Sequence, residues 1–242
     1  MSTASVHHKA LTAWWQSPLG QSFLAEQTRI LQPLFAQSFG YYQLLIGESH
    51  FIQTLPSNRK MDPIWIHPIS QTHILSDAHS LTARQDKLPV ASESVDLVYL
   101  AHCLNLGHNP HEVLREAFRV LKPEGHLIIS SFNPRSAWGL WRALMHPFKP
   151  VAWDGRFIAM SRLQDWLSLL GFELLESQRF FFRPPISNAK YLARLAYVEK
   201  IGRFCCPVLG GGMVLWAKKS VLTLTPIKPH YEPVPVLEFP TH

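Results

Sequence analysis

Two residues whose side chains could act on a substrate follow short apolar runs of the sequence. His102 lies just beyond the run at 95–100, and Arg135 lies just beyond the run at 127–131. A histidine can accept a proton as a general base, and an arginine can hold an anionic group through paired hydrogen bonds. Each has a structural alternative. A histidine beside an apolar strand end often only stabilises the fold. The segment that contains Arg135 could serve mainly to begin the next helix, with Asn133 as its cap.

Histidine and cysteine spacing gives little support for a metal site or a catalytic thiol. His102, His108 and His111 have a spacing that matches no standard zinc pattern. The cysteines are Cys103, Cys205 and Cys206. Their odd number, with two adjacent, indicates small buried thiols in a reducing compartment rather than a disulfide framework.

The order of the predicted elements defines the edge where a site would form. Strands are predicted at 42–46, 64–66, 81–84, 95–100, 127–131, 172–177 and 213–217, and helices at 18–39, 109–122, 136–145, 161–171 and 188–203. This alternation predicts an α/β fold with a mostly parallel sheet, covered by helices on both faces. Ligands bind beyond the carboxyl ends of such strands. The loops after Ile46, Ile66, Arg84 and Leu100 are therefore the places to look.

The composition excludes several classes of protein. Of 242 residues, 47% are hydrophobic and 17% are charged, which excludes a disordered chain, a coiled coil and a collagen-like protein. The formal charge of +6 permits an anionic partner without predicting one. The first residues do not form a signal peptide, and no transmembrane segment of about 18 apolar residues occurs. We therefore expect a cytoplasmic protein.

Three short motifs lie in order between residues 86 and 131. They are LPV at 88–90, VDLV at 95–98 and RVLKPEG at 119–125. This stretch resembles the class I S-adenosylmethionine-dependent methyltransferases of the small-molecule type, and 110–142 also looks like a group of uncharacterised proteobacterial predicted methyltransferases. The resemblance implies a Rossmann-like, seven-stranded sheet, mostly parallel with an antiparallel last strand. RVLKPEG would be structural, ending a helix and turning the chain into a strand.

The resemblance implies S-adenosylmethionine as cofactor, held at the strand ends. The glycine-rich first motif of the family keeps one glycine here, Gly47, for which a simple turn is the alternative. Glu48 and Ser49 would face the cofactor, unless they only form a solvated loop. His67 stands where the family has an acid that bonds the ribose hydroxyls. The other implied cofactor contacts are Gln85, Asp86, Leu88 and Ala101, with Asp86 the surviving acid near the adenine.

The resemblance also implies how the chain is divided. We expect an N-terminal helical cap at 1–40, a methyltransferase-like domain at 41–221 and a proline-rich extended tail at 222–242. Within the domain, the aromatic-rich segment at 132–160 occupies a place where the family inserts substrate-recognition residues. Such a wall would suit a bulky aromatic or lipid-like substrate. Core packing is the favoured use for most of its rings.

Three hypotheses for function follow. The first is an S-adenosylmethionine-dependent methyltransferase acting on a small molecule, with His102 and Arg135 toward the acceptor. The second is a non-catalytic binding or regulatory protein with the methyltransferase fold, supported by the lost glycine. A nucleic-acid partner, as in an RNA methyltransferase, is less favoured, because no basic run with interleaved aromatic residues occurs. The acceptor and the oligomeric state stay open.

Overall fold

The computed structural model describes residues 11–47, 55, 61–68, 80–106, 109–145, 157–185 and 196–220. The strands are β1 (Tyr42–Gly47), β2 (Asp62–His67), β3 (Ser80–Thr82), β4 (Val95–Ala101), β5 (Leu121–Phe132), β6 (Phe172–Phe180) and β7 (Gly212–Lys219). The helices are α1 (Pro18–Gln37), α2 (Cys103–Leu106), α3 (Pro110–Val120), α4 (Ala137–Met145), α5 (Met160–Leu169) and α6 (Ala196–Cys205). A 3₁₀ turn at Pro207–Leu209 separates α6 from β7.

The seven strands form one sheet in the order β3-β2-β1-β4-β5-β7-β6. β1 to β5 run parallel, and β7 is antiparallel to both β5 and β6. This is the Rossmann-like methyltransferase sheet that the sequence predicts. The strand order reverses direction between β1 and β4, so the loops that leave these strands diverge and create a crevice at the carboxyl edge.

Alternate residues of each strand face two different helix layers, because successive side chains of a strand point to opposite faces. Leu44 and Ile46 of β1 belong to a core that includes residues of α3 and α5. Leu45 of β1 and Tyr99 of β4 belong to a second core, with residues of α1 and a group of aromatic rings. Both faces of the sheet are therefore covered, which explains the nearly unbroken apolar runs of its central strands.

Helix α1 packs on one face of the sheet, and its N-terminal part reaches the carboxyl edge. It begins at Pro18, as predicted. Ser17 is its N-cap, and the Ser17 hydroxyl accepts a hydrogen bond from Gly20 N at 3.2 Å. Phe23 is completely buried, and its ring centroid lies 4.9 Å from that of Phe180 and 5.4 Å from that of Phe132. These two rings end β6 and β5, so α1 is anchored where the site is expected.

The motif residues shared with the methyltransferases hold the backbone together. Glu116 accepts a hydrogen bond from Leu88 N at 3.0 Å, and Arg119 donates to Leu88 O at 3.2 Å and to Val90 O at 2.9 Å. Asp96 accepts from the backbone N–H of Tyr41 at 2.9 Å and from Lys122 Nζ at 2.8 Å. The expectation that RVLKPEG is structural is therefore confirmed.

Two local predictions are wrong. The sequence SRLQ at 161–164 has the pattern of a capping box that would begin the helix at 161. The structure does not form it, because α5 begins at Met160 with Ala159 as an N-cap that makes no side-chain hydrogen bond. Burial was expected for every cysteine, yet Cys205 and Cys206 are exposed and only Cys103 is buried. None of the three cysteines, all of which lie in the described part of the chain, forms a disulfide.

The predicted domain boundaries lie partly outside the described residues, which exclude 1–10, 146–156 and 221–242. The N-terminal cap, the aromatic segment and the tail can therefore be followed only in part, and the division stays a prediction. In the described part of the aromatic segment, Trp138 is buried and Phe157 stacks on Phe132 with ring centroids 5.4 Å apart. None of the helices in the described ranges has the length and apolar character needed to cross a membrane.

Candidate functional site

Three of the predicted cofactor residues meet at the carboxyl edge of the sheet. Gly47 ends β1 and pairs with Ala101 at the end of β4. His67 ends β2, one residue beyond the pair of Ile46 with Ile66. Parallel strands end at a common edge, so these residues lie side by side at the switch point between β1 and β4.

The close approach of β1 to β4 explains the glycine at position 47. A Cβ at Gly47 would lie 2.7 Å from Ala101 Cβ and 3.0 Å from Ala101 O, closer than side chains tolerate. The glycine is therefore needed by the neighbouring strand, whether or not a ligand approaches. This requirement gives the single remaining glycine of the first motif a structural reason.

His67 is a buried polar side chain that lacks the hydrogen bonds such groups normally make. It is 2% exposed, and neither ring nitrogen has a hydrogen-bond partner of ordinary geometry among the described residues. Burial lowers the pKa of His67, against a smaller opposite effect of the nearby Gly47 backbone. The imidazole is therefore neutral at pH 7, with one N–H to donate and one nitrogen to accept. An orphaned buried polar group costs stability, so it indicates a ligand-facing position.

The predicted contacts after β3 are less well placed for a cofactor. Asp86 is half-buried and takes two hydrogen bonds from Arg84, at 2.9 and 2.6 Å, which lower the pKa of its carboxyl group. Gln85 lies in the same turn and is half-buried. Leu88 has its side chain in the core and both backbone polar atoms engaged by α3. Asp86 and Gln85 therefore keep exposed polar atoms near the edge, and Leu88 contributes mainly packing.

His102 is completely buried beneath α1. Its ring lies among those of Phe132, Trp15 and Phe23, with centroids 4.6, 5.5 and 5.9 Å away. Burial lowers the pKa of His102 to about 3, so the ring stays neutral at pH 7 and is a weak base. His102 also has a left-handed backbone, with φ of 56°, where the chain leaves β4 for α2. These surroundings favour a positioning role over the predicted proton transfer.

A buried chain of polar groups connects His102 to α1 and to β5. His102 Nε2 lies 2.9 Å from Gln27 Oε1, Gln27 Nε2 donates to Tyr99 Oη at 2.8 Å, and Tyr99 Oη lies 3.0 Å from Ser130 Oγ. With the amide assigned in this orientation, His102 carries its proton on Nε2 and Tyr99 donates to Ser130. The chain ties α1 to the ends of two strands.

Three residues of this buried chain were not predicted from the sequence: Gln27, Tyr99 and Ser130. The sequence contains a signal for Gln27, because it lies four residues after Phe23 on the apolar face of α1. In the structure Gln27 is 2% exposed. A polar residue inside an apolar helical stripe needs a buried partner. Nothing in the sequence shows that the partners are Tyr99 and His102, which are more than 70 residues away.

Arg135 lies at the same edge, beyond the end of β5. Its side chain is exposed, and its backbone N–H donates to Asn133 Oδ1 at 3.0 Å. Asn133 does not cap α4: its amide donates to Val208 O and Gly210 O, both at 2.8 Å. Ser136 takes the capping role, accepting from Gly139 N at 3.1 Å. Arg135 is therefore free to meet an anionic group, and its role toward an acceptor stays a prediction.

Several predicted residues lie outside the described part of the chain. Glu48 and Ser49 are among them, and so is His108. The ring of His111 packs on Trp166, with centroids 3.8 Å apart, in the layer of α3 and α5. Among the described residues no group of histidine, cysteine or carboxylate side chains could hold a metal ion.

The edge formed by β1, β2 and β4 suits an uncharged polar ligand group. A neutral imidazole at His67 can donate to one hydroxyl and accept from another, which is the pattern that a ribose diol presents. This edge lies at the switch point of the strand order, where open α/β sheets bind nucleotide-like ligands. The chemistry of this edge therefore fits the adenosyl group of S-adenosylmethionine, with His67 in place of the family's acid.

Comparisons with known proteins agree with this architecture. Residues 69–129 match the methyltransferase domain family. An S-adenosylmethionine-dependent methyltransferase of Thermotoga maritima superposes with a TM-score of 0.60 at 17% identity, covering 89% of this chain and 98% of the other. An S-adenosylmethionine-dependent methyltransferase of Mesorhizobium loti superposes with a TM-score of 0.52 at 15% identity, covering 77% and 96%. At such identities the superpositions establish the fold alone.

Two relatives are similar to this chain in sequence. A ubiquinone/menaquinone biosynthesis C-methyltransferase of Vibrio vulnificus is 25% identical over 92 residues, 38% of this chain and 35% of that protein. The uncharacterised protein YafS of Escherichia coli is 32% identical over 219 residues, which cover 89% of this chain and 84% of YafS. The chain therefore belongs to the class I S-adenosylmethionine-dependent methyltransferase family, in the group that includes YafS. The predicted resemblance to an uncharacterised group of methyltransferases is confirmed.

Proposed function

We propose that this protein binds S-adenosylmethionine at the carboxyl ends of β1, β2 and β4 and transfers its methyl group to a small-molecule acceptor. The observation that carries the proposal is His67, a buried imidazole whose ring nitrogens lack ordinary hydrogen-bond partners among the described residues. A bound ribose would satisfy both nitrogens. Family membership and the switch-point location support the same site.

Methyl transfer from a sulfonium mainly requires the protein to hold the two reactants in position. Bound S-adenosylmethionine supplies a methyl carbon on a positively charged sulfur, which an acceptor atom can attack in line. Holding the two reactants close and aligned then provides most of the rate. In this site His67 binds the cofactor, Gly47 and Ala101 form the floor beside it, and Glu48, Ser49, Gln85 and Asp86 are further predicted contacts.

His102 and Arg135 have separate roles in this proposal. His102 acts through Gln27. The hydrogen bond between them, 2.9 Å long, holds α1 against the end of β4. His102 is therefore a positioning residue. Arg135 is exposed at the edge of β5 and would hold an anionic part of the acceptor through paired hydrogen bonds. Replacement of Arg135 by Lys would keep the charge and lose the paired geometry.

We also propose a cellular location for the protein. Cys205 and Cys206 are exposed, adjacent and free. Exposed thiols persist in a reducing compartment, whereas an oxidising one favours disulfides. We therefore keep the cytoplasm as the expected location.

A labelled-methyl experiment tests the proposal. Purified protein is incubated with S-adenosylmethionine carrying a labelled methyl group, together with separated aqueous, lipid and RNA fractions of a cell extract. We expect label in a product of low molecular mass, at a rate that falls when His67 is replaced by Leu. Saturable cofactor binding without transfer to any fraction would instead support the non-catalytic alternative. Label in the RNA fraction would overturn the small-molecule acceptor.

A further inference from the structure

Helix α4 turns an apolar face to the solvent. Trp138 is buried beneath it, while Leu140 is 72% exposed, Leu144 is 59% exposed and Trp141 is 45% exposed. Surface helices of globular proteins normally show the reverse pattern, with polar residues outward. A helix that exposes leucines and a tryptophan together has a face that is suited to a partner or a lipid interface.

A second apolar segment lies nearby. Phe204 is 90% exposed and Ile201 is 54% exposed on α6, and Val208 and Leu209 in the following 3₁₀ turn are 46% and 49% exposed. Most residues between 201 and 209 are exposed. An unbroken exposed segment of this composition is rare on a monomeric protein surface and marks an interaction site.

Both segments stand at the carboxyl edge of the sheet. α4 follows the end of β5, and the 3₁₀ turn leads into Gly212, which pairs with Phe132 at that same end. Asn133 joins them directly, because its side-chain amide donates to Val208 O and Gly210 O at 2.8 Å. We call the exposed apolar residues of α4, α6 and the 3₁₀ turn the apolar rim: Leu140, Trp141, Leu144, Ile201, Phe204, Val208 and Leu209.

Basic residues outnumber acids in the segments that form the apolar rim. The described segments 133–145, 179–185 and 196–211 contain six basic residues, which are Arg135, Arg142, Arg179, Arg183, Lys200 and Arg203. The one acid in these segments is Glu199, which is 6% exposed and accepts hydrogen bonds from the backbone N–H groups of Phe181 and Phe182. Arg135 and Arg203 are exposed. Arg183 is mostly buried and lies 3.9 Å from the carboxylate of Glu199. The rim therefore presents apolar side chains and the exposed charges of Arg135 and Arg203, without exposed negative charge among its described residues.

We propose that the apolar rim docks on an anionic lipid surface. Exposed Trp, Phe and Leu side chains beside arginines are the pattern that inserts shallowly among lipid headgroups, since the rings enter the interface and the arginines meet phosphates. A neutral partner surface would not explain why exposed acids are missing from the described rim segments, whereas anionic headgroups would repel such acids and attract the arginines. This proposal goes beyond the methyl-transfer function and does not depend on it. If both hold, the candidate site opens beside the membrane and an apolar acceptor can enter from the lipid.

Vesicle flotation with the full chain tests the proposal. The vesicles contain phosphatidylcholine alone or mixed with phosphatidylglycerol, and no cofactor is added. We expect binding to the anionic vesicles that falls by about tenfold when salt is raised from about 0.1 M to about 0.5 M. The double variant Leu140→Glu with Phe204→Glu should also lose about tenfold or more in binding.

Leu169→Glu is the matched control. Leu169 is 85% exposed, but it precedes Phe172, which pairs with Lys219 at the opposite edge of the sheet. The control should float as the unchanged protein does, and near-ultraviolet circular dichroism should show that each variant is folded. Equal loss of binding in Leu169→Glu would overturn the proposal, and so would failure of the unchanged protein to bind anionic vesicles. Dimers in solution that the double variant dissociates, with no vesicle binding, would assign the rim to a second copy of the chain and overturn it as well.

Discussion

The buried imidazole of His67 lowers the stability of the fold, and in the proposed site it would bind the ribose of the cofactor. A buried polar group without a partner lowers stability by about 1–3 kcal/mol, because it leaves water and gains nothing in return. The methyltransferase family has an acid at the end of the second strand, whereas this chain has a histidine followed by Pro68. A neutral ring avoids burying an uncompensated negative charge beside Gly47 and Ala101.

Replacing His67 by Leu should therefore separate stability from binding. The variant should unfold at a temperature about 2 °C higher, because an orphaned polar group is replaced by an apolar one. Its affinity for S-adenosylhomocysteine should fall by about tenfold, because two hydrogen bonds to the ribose are lost. Thermal unfolding and titration calorimetry measure the two effects.

His126→Leu provides the matched control for that substitution. His126 lies halfway along β5, where it pairs with Lys218 near the end of β7 and packs on Trp216, away from the strand ends that form the site. Its replacement should leave ligand affinity unchanged. If His67→Leu binds as tightly as the unchanged protein, the ribose contact that we assign to His67 is wrong.

The low pKa of His102 predicts an acid-dependent loss of stability. The pKa is about 3 in the folded protein, whereas an unfolded chain has the ordinary histidine value near 6.5. The unfolded state therefore binds more protons between these values, so stability is complete above about pH 6.5 and falls as the pH is lowered toward 3. The loss from this one group between about pH 7.5 and about pH 5 is about 2 kcal/mol.

His102→Asn isolates this contribution, because asparagine tolerates the left-handed backbone and does not titrate. Denaturant unfolding at the two pH values should show a dependence that is about 2 kcal/mol smaller in the variant. His67 and His126 also have lowered pKa values, and they contribute equally to both proteins. An unchanged pH dependence would mean that His102 is not buried as a neutral ring.

At the scale of elements, α1 is held to the sheet by both its apolar stripe and one polar residue. Phe23 and Leu31 pack on the sheet, while Gln27 between them bridges His102 and Tyr99. A polar bridge inside an apolar interface fixes one register, because a shifted helix would leave the buried groups unsatisfied. We infer that Gln27 fixes where α1 lies over the candidate site.

Gln27→Leu should therefore destabilise the protein, although leucine is apolar and a good helix former. We expect a loss of about 2 kcal/mol, because His102 and Tyr99 lose their partner while staying buried. Gln32→Leu is the same change at an exposed position of the same helix, and it should alter the free energy of unfolding by less than about 0.5 kcal/mol. Equal effects of the two variants would contradict the proposed bridge.

The elements themselves could be predicted from local patterns to differing degrees. The strands β1, β2, β4, β5 and β7 follow from short apolar runs, since central parallel strands are apolar on both faces. The edge strands β3 and β6 are mostly exposed and give a weaker pattern. The start of α1 follows from Ser17 and Pro18 because a cap is a local interaction. The start of α5 does not, since packing of Met160 and Leu163 in the core decides it rather than the capping pattern at 161–164.

At the scale of the whole molecule, the fold could be predicted but the interior of the site could not. The sheet order brings together Gly47, His67 and Ala101, and the loops after β1, β2 and β4 were predicted from the strand sequence alone. The burial of His102 depends on rings that come from distant segments, such as Trp15 and Phe132. Such long-range contacts leave no local pattern, which explains why its low pKa could not be foreseen.

The strand order also places the two proposals beside each other. The candidate cofactor site and the apolar rim both lie at the carboxyl edge of the sheet. The site is at the ends of β1, β2 and β4, whereas the rim follows the end of β5 and precedes β7. They can be tested independently, because vesicle flotation needs no cofactor and cofactor titration needs no lipid. A protein with both properties would methylate an acceptor drawn from a lipid surface.

Titration calorimetry of S-adenosylmethionine and S-adenosylhomocysteine into the purified protein tests the central claim most directly. The account predicts saturable binding of one ligand per chain, weakened by His67→Leu and unchanged by His126→Leu. Absence of binding at about millimolar ligand, in protein shown to be folded by circular dichroism, would contradict it. The chain would then have kept the methyltransferase fold without the cofactor.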